Sequence, residues 1–248
     1  MASPVTPLPE PTPSVSSVGR IFGVVFNSKP TFESIAQYPT WLAPMIVLTL
    51  LSFIMSSVLA KRADWREVVR EQLEQSGKLD QIAQDKREGT ITGGAIIGKN
   101  ITYVAGLLGP SLAVLISSAI YLGAFNLIFG AQFNFKTTFS IVSYASIPSA
   151  LRAILGTVIL LLKDPSTINP NNFVASNVAA FLSSDSPKWL MTLGSFLDLF
   201  ALWSLVLTAI GFSVVNPKKI RWGTSMGVVI GVYLAIMSVF VGLAAAFG

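Results

Sequence analysis

The longest uncharged runs limit what this chain can fold into more than any average property does. From about Trp41 to Ala60 no side chain carries a charge, and the same holds from about Ile101 to Gly130 and from Thr224 to Phe247. Two further runs, about 137–162 and 189–215, carry one deep charge each, Arg152 and Asp198. Crossing a bilayer as a helix takes roughly 20 mostly apolar residues, so each run is long enough to span. The expected fold is therefore all-α: a polytopic membrane helix bundle with five transmembrane helices. A membrane barrel would show short alternating segments instead. Pro110 and Pro148 lie inside these runs, which membrane helices tolerate when neighbours satisfy the freed backbone groups.

The charges gather outside the runs. Only 12% of the 248 residues are charged, and residues 61–99 hold eight of the 17 Lys/Arg and seven of the 12 Asp/Glu. Trp65, Val68, Val69 and Leu73 recur there at helical spacing, with Arg66, Glu67, Arg70, Glu71 and Glu74 on the other faces. The pattern predicts an amphipathic helix over 61–88, stopped near Ser76-Gly77 and followed by a second helix from Lys78 to Lys86. Its Trp and valine stripe points to an interfacial position. The basic residues are nearly cancelled by acids, so no nucleic-acid partner is expected. Residues 20–38 read as a second interfacial element, a short capped helix after Pro30, with Tyr38 and Trp41 at headgroup level. Residues 1–18 read as a disordered proline-rich tail, with Pro4, Pro7, Pro9, Pro11 and Pro13 and no apolar core of a signal peptide. The loop 164–187 carries turn signals at Asp164-Pro165 and Asn169-Pro170, and Phe173–Leu182, apolar but too short to span, is expected as a small interfacial or re-entrant helix.

Composition also removes most catalytic chemistries. The chain has no cysteine and no histidine, so thiolate nucleophiles, Cys/His metal sites and Ser-His pairs are excluded. Asp198 is the only intramembrane aspartate, and no phosphate-cradling loop with the required spacing occurs. No enzyme activity, cofactor or metal is expected.

Two features inside the runs stand out. Arg152 lies 11 residues before Lys163, and Asp198 lies 10 residues after Lys188. At a rise of ~1.5 Å per residue both sit roughly 15 Å from the same membrane face, which predicts an intramembrane ion pair. Such a pair fixes helix packing or, alternatively, forms part of a polar pathway in a small transporter or channel subunit. Gly223, Gly227, Gly231 and Ala235 repeat every four residues in the last run. This small-residue stripe suits close helix packing, within the chain or in a homo-oligomer.

Charge alone gives a divided topology. An N-terminus inside places Arg20, Lys29, Lys136, Lys218, Lys219 and Arg221 in the cytoplasm against ten basic residues outside.

Several segments in order resemble the Yip family, the Ypt/Rab-interacting proteins, in its bacterial form. They are Pro30-Thr31-Phe32 with Pro39-Thr40-Trp41-Leu42-Ala43-Pro44; Leu107-Leu108-Gly109-Pro110; Phe135-Lys136-Thr137-Thr138-Phe139-Ser140 with Tyr144 and Pro148; Asn169 to Asn177; and Leu197 to Gly211. Together they cover about residues 20–245. The resemblance implies a five-span domain over 19–248 with its N-terminus in the cytosol and, for this branch, a bacterial cytoplasmic membrane. Eukaryotic members bind Rab-type GTPases in vesicle traffic. This chain lacks their long acidic cytosolic domain, which counts against a GTPase partner. The expected role is non-catalytic organisation of the bilayer, of homo-oligomers or of other membrane proteins.

Overall fold

The computed structural model describes residues 16–247 except 171, 184 and 185. Most of the proline-rich tail thus lies outside the described residues. Ten α-helices follow in chain order among them: α1 (Ser17–Phe26), α2 (Ser28–Gln37), α3 (Leu42–Arg62), α4 (Trp65–Gln75), α5 (Gln84–Phe129), α6 (Phe135–Ala145), α7 (Ile147–Leu162), α8 (Lys188–Phe196), α9 (Leu199–Val215) and α10 (Trp222–Phe247). Four units are long and apolar enough to cross a membrane: α3, α5, α6 continued by α7, and α10.

The run expected as a single span at 189–215 is instead two helices, of nine and 17 residues. Asp198 causes the break. It is extended, and its carboxylate accepts from the Phe200 and Ala201 backbone N–H groups, so it starts a new helix instead of continuing the old one. α9 packs against α2, α6, α7 and α10, while α8 packs against α10 and the turn Val178–Phe181. At one end of the bundle Arg62 donates to the Lys163 carbonyl (2.9 Å), tying the exit of α3 to that of α7. At the other end Lys219 donates to the Gly130 carbonyl (2.8 Å), tying the loop after α9 to the end of α5.

The helix expected at 101–130 begins much earlier. α5 runs unbroken through Pro110 for 46 residues, about 69 Å at the helical rise. Its first turns hold α4, whose helix matches the expected stripe and ends at Ser76 before Gly77, which has φ 63°. The expected second helix at 78–86 is a single 3₁₀ turn, Leu79–Gln81, before α5 starts. The apolar stripe of α4 faces α5: Val69 lies against Gly94 and Trp65 against Gly98, each near enough to contact a Cβ built there. The Trp65 indole donates to the Ala60 carbonyl (3.1 Å). Ion pairs of Arg66 and Arg70 with Glu88 lie across the same hairpin.

The N-terminal element is also more deeply built in than an interfacial lead-in. Ser16 caps α1 by accepting from Gly19 N–H, so the helix starts inside the residues expected as tail. Pro30 sits in the first turn of α2, where its missing N–H costs nothing. Val24, Phe32 and Ile35 are fully buried. Phe32 and Ile141 close on Gly211 of α9, where a Cβ would lie 3.0 Å from the Phe32 ring and 2.4 Å from an Ile141 methyl. Below this contact Phe125, Phe133 and Phe212 pack with ring centroids 4.5 to 5.7 Å apart. Lipid tails are as apolar as these side chains, so helix association depends on such close packing and on interhelical hydrogen bonds. Gly106 against Ser56 joins α5 to α3, and the Ser225 hydroxyl donates to the Ala209 carbonyl (2.7 Å) to join α10 to α9.

Candidate functional site

The broken span places Asp198 at the centre of a polar site. The loop 163–187 folds back on the bundle and presents a short extended segment. Asn177 and Asp198 form an isolated antiparallel bridge, with Leu199 N–H donating to the Ser176 carbonyl (2.9 Å). The Ser176 hydroxyl donates to Asp198 Oδ2. Oδ1 accepts from Phe200 and Ala201 N–H, 3.0 Å each. Asn177, also buried, accepts from Ala180 N–H and so caps the turn Val178–Phe181. Two glycines let this loop approach. A Cβ on Gly194 would stand 2.8 Å from the Ala179 backbone nitrogen, and one on Gly156 would meet Met55, Phe173 and Val174. The short apolar segment expected at 173–182 is therefore an extended strand piece and one 3₁₀ turn held against α7 and α8, not an α-helix.

Arg152 reaches this site from α7. Its Nε lies 3.5 Å from Asp198 Oδ2, with Asp198 almost fully buried and Arg152 about a third exposed. The contact is ionic, because that Nε has no hydrogen-bond partner. The two sequence-singled charges thus come together, and the carboxylate has a second task as a helix cap. Nearby, the Tyr233 hydroxyl of α10 donates to the Phe196 carbonyl, one of the acceptors freed by the break.

The other singled residues are spread apart. Gly223, Gly227, Gly231 and Ala235 are all exposed, and open space surrounds each glycine. α10 packs on α9 through Ser225 and Val229 instead, so the stripe faces out of the bundle. Trp41 is 42% exposed and meets Phe139 edge-on at 5.5 Å.

Sequence reasoning missed Arg20. It had counted only as a topological charge, yet it is fully buried. Its Nη1 donates to the Tyr38 carbonyl (2.8 Å) and the Thr40 hydroxyl (3.2 Å). Its Nη2 donates to the Ser34 carbonyl (3.2 Å) and hydroxyl (2.9 Å). The buried Tyr144 hydroxyl donates to the Ser17 carbonyl (3.2 Å) and lies 3.4 Å from Thr40 Oγ1. This knot locks α1 and α2 onto α6. The one signal in the sequence was spacing: Arg20 lies four residues before the buried Val24 and so shares its face.

The Yip1 domain matches residues 22–246, nearly all of the bundle. The chain belongs to the Yip1 domain family. Its Yip1 match opens just after Arg20 and takes in both halves of the broken span. A curated relative, "Membrane protein YknW" of Bacillus subtilis (strain 168), is 22% identical over 226 residues, covering 90% of each chain. No solved structure matches this Yip1 member.

Proposed function

We propose that this Yip1 member is a non-catalytic integral protein of a bacterial cytoplasmic membrane. It organises membrane or protein partners, with its N-terminus in the cytosol. The observation that carries the reading is how the polar groups of the spans are used. Both oxygens of Asp198 are engaged in capping α9, in holding Ser176 and in pairing Arg152. A cavity of about 690 Å³ and one of about 360 Å³ open elsewhere, and neither is lined by Arg152 or Asp198. A transport site would need these groups available to a substrate. The outward glycine stripe of α10 supports the organising role, because it leaves a face where another helix can approach closely. Homo-oligomers and other membrane proteins are the partners this face suits.

Purified protein in liposomes tests the reading against a transporter or channel subunit. No ion or solute flux is expected from the wild-type chain, and Asp198→Asn should lower thermal stability without a flux signal. Flux that Asp198→Asn abolishes in a folded protein would establish the transporter instead. For orientation, a C-terminal reporter active only outside the cytoplasm should give signal.

A further inference from the structure

The larger cavity, of about 690 Å³, lies at the end of the bundle that carries α1 and α2, and neither Arg152 nor Asp198 lines it. Its walls come from α2, from the last two turns of α9 and from the loop into α10. They differ in character. Ile210 and Val214, on the spanning helix α9, form an apolar side. Lys29, Glu33, Arg221 and Trp222 form a polar rim, and all four are exposed. Apolar surface on the bilayer side and cations at the headgroup side match the two ends of a lipid molecule. Trp222, at the first position of a span, is where an interfacial indole belongs.

The charges narrow the ligand further. Among the described residues neither Lys29 nor Arg221 is in an ion pair, so both cations are available to a ligand. With Glu33 the rim carries two positive charges and one negative, a net +1, which a single phosphodiester charge neutralises. The rest of this end adds to the attraction. Lys136 and Lys218 are exposed there, and Glu33 is the one acid among its described residues. Arg20 and Lys219 add little, since the first is buried and the second is held by the Gly130 carbonyl.

We propose that this cavity binds the headgroup of an anionic phospholipid with one net negative charge. Its phosphodiester lies between Lys29 and Arg221, and its glycerol backbone and first acyl carbons lie against Ile210 and Val214. The site needs a membrane-embedded chain but not the organising role, so either proposal can fail while the other stands.

The full-length protein in a neutral detergent, titrated with phosphatidylglycerol or phosphatidylcholine and weighed intact by native mass spectrometry, gives the test. Phosphatidylglycerol should bind about tenfold more tightly than phosphatidylcholine, as expected of charge-assisted contacts. The double variant Lys29→Gln/Arg221→Gln should lose that preference, whereas Lys136→Gln, on the same end but outside the cavity, should keep it. Arg221→Gln alone alters one exposed loop side chain and should lose about threefold, which covers poor yield of the double variant. Equal binding of the two lipids would overturn the proposal. So would a loss with Lys136→Gln as large as with the double variant, which would mean diffuse surface charge. Displacement by soluble glycerol phosphate at equal concentration would mean a free-anion site and would overturn the lipid assignment.

Discussion

Arg20→Leu is expected to destabilise the chain by roughly 3 kcal/mol, by leaving the Tyr38 carbonyl without a donor and stripping the Ser34 and Thr40 hydroxyls of the guanidinium. The leucine would fit the apolar surroundings of Val24 and Phe32, so the loss comes from the acceptors and not from volume. The Tyr38 carbonyl lies just beyond α2 and has no other donor among the described residues, whereas the Ser34 carbonyl also accepts from Tyr38 N–H (3.0 Å). Arg20→Lys should recover only part of the loss, because one ammonium cannot reproduce a planar fork that serves Tyr38, Thr40 and Ser34 together. The midpoint of thermal aggregation in detergent, followed by size-exclusion chromatography, reads both variants. A leucine variant as stable as the wild type would mean that the N-terminal hairpin does not depend on this knot.

The second large effect lies at the broken span. Asp198→Ala removes the cap of α9, worth about 1 kcal/mol. It also leaves Arg152 in the span without its carboxylate, at a cost of about 2.5–3.5 kcal/mol on insertion scales. Asp198→Asn keeps an oxygen for the Phe200 and Ala201 N–H groups and should cost less. If the ion pair matters in its own right, Arg152→Met should be better tolerated in the Asp198→Asn background than alone, with a coupling of about 1–3 kcal/mol. An asparagine variant as stable as the wild type, beside an alanine loss of about 1 kcal/mol and no coupling, would reduce Asp198 to a cap.

The same residue shows how far the sequence could be read. Its depth relative to Lys188 was legible, because helical rise converts residue count into distance, and the structure brings it within 3.5 Å of Arg152. The break was not legible. Aspartate is a common helix N-cap, but 27 mostly apolar residues around one carboxylate look like a span with a buried charge. Apolar runs found the spanning helices because length and hydropathy are local properties. They failed on the first seventeen residues of α5, where Gly89, Gly93, Gly94 and Gly98 lower helix propensity. Two of those glycines are needed for contact with Val69 and Trp65, a tertiary reason that no local pattern carries. Arg20 was misjudged for a similar cause. Its acceptors come from residues 34 to 40, and only the turn between α1 and α2 brings them near.

The unbroken course of α5 makes it both a ruler and a dial. Gly94, which receives Val69, and Gly106, which receives Ser56, are twelve residues apart on one helix. At 3.6 residues per turn the outer hairpin and the spanning helix α3 therefore attach about 18 Å apart and about 120° around the axis from each other. No loop between them can absorb a change in length. Each residue inserted or deleted between Gly98 and Gly106 would swing the charged hairpin by about 100° around the bundle and shift it by ~1.5 Å. The azimuth of that hairpin is thus set by counting residues along a single helix, and a partner reading its charged face would sense a one-residue change as a rotation before it sensed a change in height.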